Sequence, residues 1–109
     1  MALTRSYNET VRQDLRTDPE FRRALLGEVL GCMASGDVET GKSVLRKYIE
    51  GTVGFEALGE ALGRSPKSLM RMLSPAGNPH VRTFFEMVAH LQELDGTVLT
   101  VQGVRKLAA

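Results

Sequence analysis

Residues Gly54 to Pro79 read GFEALGEALGRSPKSLMRMLSPAGNP, and the interpretation of this stretch decides the fold. Phe55, Leu58 and Leu62 recur at spacings of three and four, which places them on one face of a helix. Gly59 interrupts that helix at a cost of about 1 kcal/mol relative to Ala, so it calls for a reason. Close approach of another helix is one, since a residue without Cβ lets two backbones near each other. Gly63 stands where a helix ends on a left-handed residue. Ser65 and Pro66 restart a helix at once, Ser as N-cap and Pro at the first helical position. Leu69, Met72 and Leu73 point inward, and Ser74-Pro75 stops the element. Two short helices around a three-residue turn containing Gly make a helix-turn-helix over residues 54–74, an outline shared with any αα-hairpin.

Charge separates those two readings. No Asp or Glu occurs between Ala61 and Phe85, whereas Arg64, Lys67, Arg71 and Arg82 all do. The window carries +4 in a chain of formal net charge +1, leaving −3 for the rest, 10 basic residues against 13 acidic. Lys67 and Arg71 lie four apart and share a face of the second helix, opposite Leu69 and Met72. Ser68 sits beside them and can donate to a phosphate or a base edge. A short cationic helix that presents Arg is suited to the major groove of DNA; a solvated Lys/Arg face is the plain alternative. The overall pI of about 7.9 makes this a local patch and not a basic domain.

Leu58, Gly63, Ser65, Ser68, Leu69, Arg71, Leu73 and the run Ser74-Pro75-Ala76-Gly77-Asn78-Pro79 resemble the lambda-repressor-like helix-turn-helix of addiction-module antidote proteins, the HigA-type antitoxins. The resemblance covers roughly residues 18–101 and is sharpest from Leu58 to Pro79. It implies a loop of the form SPxGNP after the recognition helix, then an amphipathic helix and a terminal β-strand. It also implies a DNA-binding protein that represses its own operon and neutralises a ribonuclease toxin encoded beside it. The sequence departs from the pattern at Pro66, commonly a charged residue, and at Arg64, commonly apolar. The stretch after Leu91 is also a few residues longer.

The rest of the chain supports this centre. At 109 residues it is a single domain with a modest core that gains from dimerisation. Residues 1–17 form a polar segment or short helix, with a weak pattern in Tyr7, Val11 and Leu15, packing on the body or on a partner. Asp18-Pro19-Glu20 starts a helix whose face is lined by Phe21, Leu25, Val29 and Cys32, and which is apolar over more than half its circumference. Ser35-Gly36-Asp37 ends it and caps the next, Val38 to about Gly51. There Val38, Leu45, Tyr48 and Ile49 form the stripe while Glu39, Lys42, Arg46 and Glu50 face water. From His80 to Leu94 the residues Val81, Phe84, Phe85, Val88, Leu91 and Leu94 recur at three and four, the strongest periodicity in the chain.

Asp95-Gly96 signals a turn, and Thr97 to Val101 is β-branched and strand-like. Such a strand needs a mate, either its copy in a second subunit or a partner's strand. Residues 102–109 are a tail. The expected fold is therefore mostly α: a lambda-repressor-like helix-turn-helix bundle of about five helices with one short C-terminal β-strand.

No catalytic constellation is present in the sequence. His80 and His90 lack the neighbours of a metal site, Cys32 lies on an apolar face, and no GKS or GKT follows the glycines. No metal or cofactor is expected, nor an enzyme. One cysteine suits a reducing compartment, and no apolar run reaches the ~20 residues of a membrane span, so a cytoplasmic protein is expected. The expected DNA-binding residues are Lys67, Ser68 and Arg71 at base edges, with Arg64, Asn78, His80 and Arg82 at phosphates. The expected partners are double-stranded DNA, a second copy forming a homodimer, and a ribonuclease toxin. A stand-alone repressor without a toxin, or a protein-interaction module on the same scaffold, remain the alternatives.

Overall fold

The computed structural model describes residues 2–108, with side chains from residue 7 onward. Its described residues form six helices: α1 Ala2–Thr17, α2 Pro19–Ala34, α3 Val38–Gly51, α4 Phe55–Leu62, α5 Pro66–Met72 and α6 Val81–Asp95. The boundaries follow local chemistry. Asp18 Oδ1 accepts the N–H groups of Glu20 and Phe21 at 3.0 and 3.2 Å, satisfying two donors that α2 cannot pair internally. Asp37 does the same for Thr40 at the start of α3. Gly63 and Gly96, both in the left-handed region (φ 67° and 66°), close α4 and α6. At each, the next residue donates five positions back: Arg64 N–H to the Gly59 carbonyl, and Thr97 N–H to that of Gln92.

The core is built where these helices cross. Val29, Leu45, Ile49, Leu58, Leu69 and Met87 are wholly buried, and Phe55, Leu73, Phe84, Val88 and Leu91 nearly so. Each such side chain contributes about 1.5–3 kcal/mol on removal from water, so the inner faces of α4 and α5 are held by Leu58, Leu69 and Leu73. The polar first helix is part of this body: α1 packs on α2 and α3. Leu15 is fully buried against Gly51, where an added Cβ would lie 2.6 Å from Leu15 Cδ1.

The far end of the bundle is closed by one side chain. Arg22 of α2 bonds Asp95 at the end of α6 (Nε–Oδ1, 2.9 Å) and donates to the Leu15 carbonyl at 3.0 Å. Tyr48 is buried close by. Its phenol is pushed above the ordinary 10.0, first by burial and then by Asp95, with Arg22 opposing.

The structure corrects three expectations. No strand occurs among the described residues, so the C-terminal β-strand over Thr97–Val101 is absent. That segment is irregular, held by one hydrogen bond to a side chain, Leu99 N–H donating to Gln92 Oε1 at 2.6 Å. A strand requires a ladder partner, and the helical chain offers none. The α6 stripe is also displaced: Val81, Phe85 and Leu94 are 76, 52 and 57 % exposed, while Thr83 and Met87 turn inward in their place. Finally, Lys42 does not face water; it is 1 % exposed.

Candidate nucleic-acid interface

The α4–α5 pair is assembled by backbone proximity. A Cβ on Gly59 would fall 2.5 Å from the Arg64 carbonyl oxygen and 3.3 Å from the Pro66 nitrogen. Gly59 therefore admits the returning turn and the start of α5, the neighbouring helix. Ser65 Oγ accepts the Ser68 N–H at 3.1 Å, and Pro66 fills the position where a free donor would be orphaned. Turn and α5 are set by these contacts together with the burial of Leu69 and Leu73.

This leaves the opposite side of α5 outward. Lys67 and Arg71 are exposed and Ser68 is half-buried between them. Neither cation forms an ion pair with another described residue, and the same holds for Arg82 in the first turn of α6. Asn78 and His80 are exposed in the segment that joins α5 to α6, His80 being the N-cap residue of α6 without a side-chain cap bond.

Arg64 is different. Its guanidinium lies 3.6 Å from Glu86 Oε1 of α6, an oxygen that is buried and otherwise has no hydrogen-bond partner among the described residues. The pair is semi-exposed (37 and 40 %), so its contribution to stability is small, but it spends part of Arg64's charge internally. Glu86 is four residues after Arg82, one turn along the same face of α6. The structure thus pairs Arg64 with Glu86, and carries Lys67, Ser68 and Arg71 separately on α5.

The residue that sequence reasoning missed is Lys42. Its Nζ donates to the Gly77 carbonyl at 2.6 Å and the Ser74 carbonyl at 3.1 Å, and lies 3.0 Å from Glu39 Oε2. The ammonium thus meets two main-chain acceptors by hydrogen bonds and one carboxylate as an ion pair. The signal was available: Lys42, Leu45 and Ile49 are spaced three and four apart, so periodicity puts Lys42 on the buried stripe. Gly77 has its own reason to lack a side chain, since a Cβ there would collide with the Arg71 carbonyl oxygen. That same oxygen accepts the Ser74 Oγ–H at 2.7 Å.

Between them α2 and α6 leave an open groove of about 740 Å³ lined by Gly27, Leu30, Gly31, Val81, Phe85 and Val101 among others. Phe84 and Phe85 meet edge to face at its wall, ring centroids 5.2 Å apart. Cys32 is half-buried. Among the described residues no cluster of His, Cys, Asp or Glu could hold a metal ion, and no helix is long and apolar enough to cross a membrane. No protein-family model, curated protein or solved structure matches this chain.

Proposed function

We propose that the chain is a sequence-specific double-stranded-DNA-binding regulator, with α4–turn–α5 as a lambda-repressor-like helix-turn-helix and α5 as the reading helix. One observation carries the reading. A seven-residue helix is anchored on its inner side by Leu69 and Leu73, and turns two unpaired cations, Lys67 and Arg71, outward within a stretch free of acids. Side chains on such a helix can reach base edges, with Arg71 suited to bidentate contact with guanine, while Arg82, His80 and Asn78 serve the phosphate backbone. Arg64 takes the lesser part because Glu86 already holds it. The resemblance to addiction-module antidotes extends the proposal to a homodimer that represses its own operon and neutralises a ribonuclease toxin.

The test is titration of the protein with duplex from its own upstream region and with a random duplex, at two salt concentrations. Selective, salt-sensitive binding is expected. Arg71→Ala should cost about 1–3 kcal/mol and relax one position of the site, whereas Arg82→Ala should weaken all sequences alike and lower the salt slope by about one. Equal weak binding to both duplexes would falsify DNA readout. It would favour a protein-interaction module, for which the exposed Phe85 and Val81 along the α2–α6 groove are the supporting feature.

A further inference from the structure

We infer that Lys42 is the positioning residue of the DNA-reading surface: from inside the bundle it sets the loop that joins α5 to α6, and through it the placement of the outward cations. The inference rests on the DNA-binding reading above. A buried cation is retained only when its charge and donors are met; here Glu39 meets the charge and one loop supplies both hydrogen-bond acceptors. Two of the three partners are main-chain carbonyls of Ser74 and Gly77, on the segment immediately after α5. The third, Glu39, is one turn before Lys42 on α3, so the ammonium is referenced to the central helix and reaches out from it.

The geometry around the loop explains why this matters to α5. The helix has only seven residues, about two turns, and cannot hold its own orientation through internal hydrogen bonds. Its start is secured by Ser65, Pro66 and the approach to Gly59. Its end is secured by the loop, which folds back so that Gly77 touches the Arg71 backbone and Ser74 caps the Arg71 carbonyl. Lys42 binds the same loop at the same two residues. Withdrawing the ammonium strips the Gly77 carbonyl of its donor and leaves the Ser74 carbonyl with the Gly77 N–H alone, so the loop loses its tie to α3 and must move to bring the Gly77 carbonyl to water. Arg71, whose own backbone the loop touches, shifts with it, as do Asn78 and His80 within the loop. Lys42 itself touches no DNA, because its ammonium is enclosed.

The test compares full-length wild type with Lys42→Met, near-isosteric and uncharged, on the upstream and random duplexes at two salt concentrations. Far-UV circular dichroism establishes that the variant is folded. The expected result is loss of about 10- to 100-fold in affinity for the upstream duplex, the worth of one base contact, with little loss on random duplex and an unchanged salt slope. A variant with unaltered selectivity overturns the inference, even if its active fraction or melting temperature falls, since lower stability alone does not change the ratio between two duplexes. A salt slope reduced by about one also overturns it, because Lys42 would then be neutralising a phosphate. Should Lys42→Met not fold, Gly77→Ala displaces the same loop from its outer side, and intact selectivity there refutes the dependence on loop position. Wild type without selectivity removes the DNA-binding reading and this inference together; selective wild type with an equally selective Lys42→Met removes this inference alone.

Discussion

Two short stretches of this chain began with comparable claims to regular structure and ended differently. Pro66–Met72 is seven residues long, below the length at which a helix persists alone, yet it is helical and its Leu69 is wholly buried. Thr97–Val101 is five residues of strong β-propensity, yet it forms no strand, and Val98 and Val101 are 78 and 87 % exposed. The difference is the supply of partners. α5 meets Ser65 and Gly59 at its start, the core at Leu69 and Leu73, and the Lys42-bound loop at its end. The C-terminal segment meets the carbonyl and side chain of Gln92 and packs only Leu99 against the core, with no strand beside it. Propensity selects among conformations that partners make affordable; it does not replace them.

Leu69→Ala attacks the best-supported point of that contrast. It removes a wholly buried side chain and should lower stability by about 2–5 kcal/mol in urea unfolding, with a loss under 1 kcal/mol meaning that α5 is not seated by the core. Gly59→Ala sets a methyl against the Arg64 carbonyl and should cost about 1–3 kcal/mol despite the better helix propensity of Ala, because the opposing atoms are main chain and cannot swing away. Ser65→Ala deletes the N-cap acceptor and should cost about 1 kcal/mol, read as a lower urea midpoint with an unchanged slope. On the other side of the comparison, Val101→Thr should change stability by no more than about 0.5 kcal/mol. A larger and protein-concentration-dependent effect would show that the segment finds its mate in a second molecule.

What could be read from sequence was whatever is encoded within a few residues. The caps at Asp18, Ser65 and Gly63 carry their chemistry locally, so the limits of α2, α4 and α5 followed from residue type and order. The exposed Lys67 and Arg71 were legible for the same reason: four-residue spacing sets a helix face whatever lies beyond it. The features that eluded sequence reasoning are bonds across long separations. Lys42 meets carbonyls 32 and 35 positions away, and a lysine on an apolar stripe was read as a solvated one because its acceptors are main-chain atoms that leave no trace in residue identity. Arg64 counted as free because the acid-free window ends at Phe85, one residue before the Glu86 that pairs with it. The β-branched Thr97–Val101 misled for the converse reason, a local preference with nothing across from it.

The buried phenol of Tyr48 gives the molecule an alkaline limit and a built-in optical readout of it. The chain contains no Trp and only two Tyr, of which Tyr7 is 63 % exposed. Because Tyr48's folded value is raised, the unfolded chain releases this proton first. The stabilising difference is fully present below the ordinary 10.0 and drains away as pH climbs from there through the folded value. Ultraviolet titration should therefore show one tyrosinate appearing late and together with loss of helix, and Tyr48→Phe should abolish that late step. Its absorbance would report, without any added dye, the moment at which Arg22 and Asp95 let α2 and α6 part.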